Sequence, residues 1–268
     1  MLTGLKTKSR IKTIAYWVTT SIIVLETTVG AQWDLSRNEF VSNVFHQLGY
    51  PLYLLTVIGI WKIPGAVVLV IPKFPRVKEW AYAGLFFIYT GAAASHLFVH
   101  QVGAAVGPFI FACITLASYF LRPPSRTLDT NKSNINGNIT KAKKIIYWTC
   151  IVILEFILLS GGIGQIGHLW GTVEGTVNLL SYPIYFLTII GTWKILGGIA
   201  LLFPRFPRLQ EWAYAGIFFE MTGAVASNAF SGLGGHHLIL PLIFAGLAVT
   251  AWALRPPVRS LAMNKAAV

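Results

Sequence analysis

The chain consists of long apolar stretches separated by short polar segments. A helix that crosses a bilayer needs about 20 mostly apolar residues, and we find eight stretches of this kind. We place the predicted spans at residues 14–31, 50–72, 80–98, 103–121, 145–163, 182–204, 212–230 and 237–254. The pattern therefore predicts an all-α, polytopic membrane protein with eight transmembrane helices.

The second half of the chain repeats the first at a constant offset of 132 residues, over segments 49–91 and 181–223. GYPLYLLTVIGIWKIPG stands opposite SYPIYFLTIIGTWKILG, and PKFPRVKEWAYAG stands opposite PRFPRLQEWAYAG. The motif LRPP then closes each half. A repeat of this length predicts two tandem four-helix bundles. We assign the bundles to residues 1–126 and 143–268, joined by a polar linker at 127–142.

The composition agrees with a membrane protein. Hydrophobic residues make up 55% of the chain, charged residues make up 11%, and the mean hydropathy is +0.65. Soluble domains are closer to one quarter charged, so a water-soluble fold is disfavoured. The net charge of +12 is typical of nucleic-acid binding proteins, but here the basic residues form short runs between apolar stretches. Membrane topology explains this distribution, and we predict no nucleic-acid partner.

The basic residues also predict the orientation. Four spans in each half put both termini, the linker and the two PxFPR loops on the same side of the membrane. Every lysine and arginine outside the predicted spans lies on that side, except Arg37. Loops rich in lysine and arginine stay in the cytoplasm. We therefore predict a protein of the cytoplasmic (plasma or inner) membrane with cytoplasmic termini and linker, and two bundles of the same orientation, related by a pseudo-twofold axis along the membrane normal.

Charged residues at membrane depth are costly and usually mark a partner, a cavity or a pathway. The candidates are Glu26, Lys62, Glu155, Lys194 and Glu220. From the helical rise, the first two lie at similar depth, and the last three are expected to converge near the midplane. Two interpretations stay open: a polar site for proton relay or for the head group of a quinone or lipid, and a structural Glu/Lys tie between helices. Because Ile88 occupies the position of Glu220 in the first half, the second bundle is predicted to be the specialised one.

Two further motifs carry chemistry. Trp61 and Trp193 precede the intramembrane lysines, where their indoles either flank a ligand or pack between helices. In the PxFPR loops, arginine and lysine are expected to bind anionic lipid. Glu79 and Glu211 are expected to favour the positive end of the following helix.

Metal and cofactor motifs are weak. His96 and His100 have the i, i+4 spacing that permits shared metal or haem ligation, but Asn228 replaces His96 in the second half. We find no phosphate loop, dinucleotide fingerprint or nucleophile elbow. The sequence therefore predicts no metal site and no evident cofactor, although a quinone is compatible with the Glu/Lys site.

The early helix ending in Leu-Glu, the YPxYxLTxIGxWK helix, the PxFPRxxEWAYAG turn and the terminal LRPP resemble the DoxX-like family of four-helix membrane proteins. The resemblance covers both halves, roughly 14–126 and 145–259. It implies a compact four-helix unit with an internal cavity. The family takes its name from a small subunit of a membrane thiosulfate:quinone oxidoreductase, and other relatives act as membrane chaperones or accessories of redox complexes.

Three functions are favoured by these observations, and transport, which would need alternating access, is a weaker fourth. The first is an accessory membrane protein that binds a small hydrophobic ligand, a quinone or a lipid. The second is the membrane subunit of a quinone-linked oxidoreductase whose redox centre belongs to a protein partner. The third is a scaffold or chaperone with a client protein. The sequence leaves open whether the chain is an enzyme; the lack of an evident redox centre favours a chain that is not an enzyme by itself.

Overall fold

The computed structural model describes residues 2–128, 140–203 and 206–256, and these residues are almost entirely helical. The helices are α1 (Leu2–Ser36), α2 (Glu39–Leu48), α3 (Tyr53–Val70), α4 (Pro75–Phe98), α5 (Val102–Leu121), α6 (Lys141–Ile166), α7 (Ile184–Leu202), α8 (Pro207–Phe230) and α9 (His236–Leu254). Short turns of 3₁₀ and π helix lie at Pro124–Arg126 and Glu174–Asn178. Most of the predicted linker, residues 129–139, lies outside the described residues.

Local sequence explains where several helices begin and end. The Asn38 side chain accepts a hydrogen bond from the Phe40 amide and starts α2, and Gly49 ends this helix in the left-handed conformation that glycine tolerates best. The Thr140 hydroxyl caps α6 in the same way. α4 and α8 both begin with proline, whose missing N–H is no loss in the first turn of a helix. The α2 helix was not predicted, because its ten residues are too short to span a bilayer.

The long helices form one group in each half. In the first, α1 and α4 each pack against both α3 and α5. In the second, α6 and α8 each pack against both α7 and α9. The two groups meet mainly through α4 and α8, with further contacts from α3 to α8 and from α4 to α7. Matching helices of the repeat therefore face each other at the junction between the halves.

The outer surface is rich in exposed apolar side chains, and several charged side chains are buried inside. Large apolar side chains such as Phe120 and Phe156 are more than two thirds exposed, whereas Lys78, Glu79 and Glu211 are completely buried. Among the described residues, six helices are long and apolar enough to cross a membrane: α1 from Arg10 onwards, α3, α5, α6, α7 and α9. This surface identifies an integral membrane protein.

α4 and α8 coincide with two of the eight predicted spans but lie outside that apolar set. Both helices have the required length, with 24 residues each. Their first turns carry the charged residues of the PxFPRxxEW motif, and α8 also contains Glu220. Neither helix contains an 18-residue stretch as apolar as those of the other six. That they also cross the bilayer stays a prediction.

Candidate ligand site between the two halves

The junction contains a reciprocal set of hydrogen bonds at the end of the molecule where α4 and α8 begin. Trp80 in α4 donates its indole N–H to Glu211 Oε2 at 3.0 Å, and Trp212 in α8 donates to Glu79 Oε2 at 3.2 Å. Glu79 and Trp80 correspond to Glu211 and Trp212 in the repeat. An interface in which residue i meets j and j meets i is isologous, as in a symmetric dimer. The two halves therefore associate like two copies of one unit.

Each of these glutamates is also tied to an arginine of its own half. Arg122 Nη2 lies 2.8 Å from Glu79 Oε1, and Arg255 Nη2 lies 2.6 Å from Glu211 Oε1. Trp252 gives Glu211 a further hydrogen bond at 2.7 Å. Glu79 and Glu211 were predicted only to stabilise the positive end of a helix, but the structure gives them further partners. Both carboxylates are fully buried, and their main partners are the arginine of LRPP and the tryptophan of the opposite half.

Lys78 does not extend to the lipid as predicted for the lysines of the PxFPR region. Its ammonium group donates to the backbone carbonyls of Val68 and Ile71, at the end of α3. In the second half Gln210 occupies this position and donates to the Leu201 carbonyl at 3.1 Å. These side chains satisfy carbonyls that the last turn of the preceding helix leaves without a partner. Because Lys78 is fully buried at this helix end, it stabilises the fold and does not contact lipid.

The opposite end of the junction is reciprocal as well. The Tyr53 hydroxyl donates to the Leu180 carbonyl at 2.6 Å, and the Tyr185 hydroxyl donates to the Leu48 carbonyl at 2.6 Å. The repeat relates both the tyrosines and the leucines. The two halves are thus fixed to each other at both ends.

Aromatic side chains fill the middle of the junction. The Trp61 ring contacts Phe218 and Phe219 edge-on, with centroids 5.7 and 5.2 Å apart. Trp193 makes the equivalent contacts with Phe86 and Phe87, at 6.0 and 4.9 Å. Both tryptophans therefore pack across the junction, and both also line the cavity found there.

A cavity of about 700 Å³ lies between the halves. Its first-half wall comes from α3 and α4, whereas the second half contributes residues of α6, α7, α8 and α9. Of the predicted site residues, those that line it are Trp61, Lys62, Trp193, Lys194 and Glu220. Glu26 and Glu155 are not in its lining. The cavity thus lies at the junction rather than inside one bundle, because the lysines of α3 and α7 border the junction while the two glutamates lie on α1 and α6. A ligand site within each bundle stays a prediction.

In the first half the expected tie between Glu26 and Lys62 is replaced by another pair. Lys62 Nζ lies 2.8 Å from Asp34 Oδ2, and both side chains are more than nine-tenths buried. Glu26 instead accepts a hydrogen bond from the Tyr89 hydroxyl. Asp34 was missed by sequence reasoning because it lies beyond the predicted end of the first span. Asp34 follows Glu26 by about two helical turns and lies on a similar face of α1, and this spacing could have indicated that both carboxyl groups approach Lys62.

In the second half Lys194 Nζ lies 2.8 Å from Glu220 Oε1, so these two residues meet as predicted. Glu155 does not join them: neither of its buried carboxyl oxygens has a hydrogen-bond partner among the residues that the structure describes. The repeat explains the difference. Ile163 stands where the first half has Asp34, and Met221 stands in place of Tyr89. Lys194 therefore depends on Glu220, and Glu155 has no tyrosine to donate to it.

The described residues contain no group of three or more His, Cys, Asp and Glu side chains that could hold a metal ion. His96 is buried, and its Nδ1 lies 2.9 Å from Gln101 Oε1. Among the described residues, the charged side chains that line the cavity are Lys62, Lys194 and Glu220, and the walls around them are mostly apolar and aromatic.

The long helices, the apolar outer surface and the buried ion pairs define a helical integral membrane protein. The sequence profile of the DoxX-like family matches residues 18–118 and again residues 149–251, one match in each half. The chain therefore belongs to the DoxX-like family and is a tandem duplication of its unit. The comparisons with curated proteins and with solved structures give no significant match.

Proposed function

We propose that the protein is an accessory membrane protein that binds one small hydrophobic molecule, a quinone or a lipid, in the cavity between its halves. The observation that carries this proposal is the cavity itself, whose mostly apolar wall contains the Lys194–Glu220 ion pair at the second half. Its volume of about 700 Å³ lies within the usual range for small-molecule pockets. Such pockets combine mostly apolar walls with few polar groups that orient the ligand.

The polar groups suit the head of an amphipathic ligand. The Lys194 ammonium can donate to a carbonyl or phosphate oxygen, and the Glu220 carboxylate can accept from a hydroxyl. Trp61, Trp193 and the surrounding phenylalanines offer flat apolar surface to a ring or an acyl chain. Because Ile88 stands opposite Glu220 in the repeat, the head group is expected at the second half and the tail against the first.

Retention of a native ligand tests this proposal. The full-length protein is extracted in mild detergent, and the bound molecules are identified by mass spectrometry after organic extraction. We compare wild type with the double variant Lys194→Met/Glu220→Met, which removes the pair without leaving a lone charge. The matched control is Lys62→Met/Asp34→Leu, which removes the equivalent pair of the first half. We expect the bound molecule to be lost only from the Lys194/Glu220 variant.

The same preparation separates the alternatives. Equal retention in wild type and both double variants would contradict a head-group site at Lys194–Glu220. A quinone that copurifies with a redox protein would favour the oxidoreductase subunit. A client protein with an empty or lipid-filled cavity would favour the scaffold or chaperone.

The topology is part of the proposal: eight spans in two parallel four-helix bundles, with both termini and the linker in the cytoplasm. The basic loops support this orientation. In a variant whose native cysteines are replaced, Trp170→Cys is expected to react with an impermeant maleimide in intact cells. Ser133→Cys, in the linker and outside the described residues, is expected to react only after permeabilisation. Labelling of Ser133→Cys in intact cells would overturn the orientation.

A further inference from the structure

Each half places one lysine and two carboxyl groups at membrane depth. In both halves the lysine pairs with the carboxylate that the other half lacks: Lys62 with Asp34, and Lys194 with Glu220. The carboxyl groups left outside these two ion pairs are the repeated ones, Glu26 and Glu155. The duplicated feature is therefore a carboxyl group outside the lysine ion pair, rather than a Glu/Lys pair.

Glu155 is the more isolated of the two. It is 9% exposed, and both carboxyl oxygens are buried without a hydrogen-bond partner among the described residues. Its Oε2 lies 3.0 Å from the position that a Cβ would take on Gly198, where the side chains of Leu158 and Leu159 also approach. The carboxyl group thus occupies an apolar space opened by a glycine of α7.

No charged side chain of the neighbouring helices supplies a partner. On α7, Lys194 approaches Gly161 of α6, which lies six residues, or about 9 Å, along the helix from Glu155. Lys194 is also paired with Glu220. On α8, Glu211 is paired with Arg255. The α9 helix contains no Asp, Glu, Lys or Arg. Tyr147, Cys150 and Tyr214 belong to the same buried core cluster as Leu154 and Leu158, the neighbours of Glu155 along α6, and they offer hydroxyl and thiol groups rather than charges.

We propose that Glu155 is a neutral carboxylic acid in the folded protein, a proton-holding site that reacts with hydrophobic carbodiimides and is distinct from the Lys194–Glu220 pair. An isolated carboxylate in an apolar interior is far more costly than the neutral acid, so the group retains its proton. Glu26 differs in its surroundings. Tyr89 donates a hydrogen bond to it, and Lys62 Nζ and Glu26 Oε1 both approach the Cβ position of Gly30, at 2.9 and 3.5 Å, so Glu26 has a donor and a nearby cation that Glu155 lacks.

A hydrophobic carbodiimide such as dicyclohexylcarbodiimide tests the proposal because it partitions into the bilayer and needs the protonated acid. The acid proton moves to a carbodiimide nitrogen while the carboxyl oxygen bonds to the central carbon. The resulting O-acylisourea rearranges to a stable N-acylurea. The whole reagent is added and no group leaves, so the adduct adds the full reagent mass to the modified peptide.

The full-length protein is treated in detergent and in liposomes, and the modified residue is located by peptide mass spectrometry. We expect the adduct on Glu155 and not on Glu220, which forms an ion pair with Lys194. In the first half, Tyr89 donates a hydrogen bond to Glu26. Met221→Tyr places a tyrosine at the matching position of the second half, where its hydroxyl can donate to Glu155. If that hydroxyl stabilises the carboxylate by the worth of one hydrogen bond, labelling of Glu155 falls roughly tenfold. Tyr89→Phe is the converse variant and is expected to raise labelling of Glu26.

Labelling of the wild-type protein needs no substitution, so it is decisive even if a Glu155 variant fails to fold. Failure to find an adduct on Glu155, or equal labelling of Glu155 and Glu220, would overturn the proposal. Infrared spectroscopy gives a second readout: the carbonyl band of a protonated carboxylic acid is expected in wild type and absent in Glu155→Gln. Both readouts are independent of ligand retention in the cavity, so they can fail or succeed separately from the proposed function.

Discussion

Trp80 donates its indole N–H to the carboxylate of Glu211 across the junction between the two halves, at 3.0 Å. The repeat-matched bond from Trp212 to Glu79 has a length of 3.2 Å. Each glutamate thus holds an arginine of its own half and a tryptophan of the other. The same two carboxylates therefore stabilise the inside of each half and the association of the two.

Trp80→Phe and Trp212→Phe keep an aromatic ring but remove the hydrogen bond to a buried carboxylate. Each is expected to lower the free energy of unfolding by about 1.5 to 3 kcal/mol, the usual worth of a hydrogen bond to a charged group. Thermal unfolding in detergent measures the effect. Trp61→Phe is the control, because Trp61 contacts the other half through its ring. An equal loss in the control would show that ring size matters and the indole N–H does not.

Arg122→Met is expected to destabilise the protein by about 3 to 5 kcal/mol, because it leaves the Glu79 carboxylate buried without its cation. The guanidinium also lies 4.1 Å from the centroid of the Tyr119 ring, a contact that methionine replaces only in part. Adding Glu79→Gln removes the uncompensated charge and should restore part of the stability. A denaturant titration of the single and double variants checks this. A double variant less stable than Arg122→Met would contradict it.

Gly191→Ala is expected to destabilise the contact between α6 and α7 by about 1 to 3 kcal/mol. A Cβ on Gly191 would stand 2.8 Å from the backbone carbonyl oxygen of Gly162, and backbone cannot rotate away as a side chain can. Gly246→Ala, within α9, meets no atom within 4 Å and is the control. It should leave the midpoint of thermal unfolding unchanged or slightly raised, since alanine favours helix. Equal effects of the two substitutions would refute the close contact.

Glu220→Gln is expected to be more destabilising than Asp34→Asn, although each removes the partner of a buried lysine. Glu26 Oε1 and Lys62 Nζ both approach the Cβ position of Gly30, so we expect Glu26 to replace Asp34 as the counter-charge. Among the described residues, Glu220 is the carboxylate that pairs with Lys194, and Glu155 has no hydrogen-bond partner. Breaking a buried pair costs about 3 to 5 kcal/mol, which we expect in full only for Glu220→Gln. Melting temperatures of both variants measure the difference. In a Glu26→Gln background, Asp34→Asn should become as damaging as Glu220→Gln.

Much of the architecture depends on local sequence patterns and could therefore be predicted from the sequence. The apolar stretches, the repeat with its offset of 132 residues and the family motifs predicted a helical membrane protein of duplicated design, and the family match confirms the duplication. The meeting of Lys194 with Glu220 was also predictable, because helical rise alone brings the two residues to a similar depth.

The partner of each ionisable group was decided by the tertiary structure. Helical rise gives depth but not the rotation of a helix about its axis, so it did not distinguish Asp34 from Glu26 as the partner of Lys62. The contacts of Trp80 with Glu211 depend on how the two halves dock, and residues from opposite halves carry no local signal of that contact. The sequence by itself thus determined the long helices and their duplication, but not the short helix α2. Packing between helices determined which carboxylates are paired, which one is left alone, and that the cavity lies between the halves.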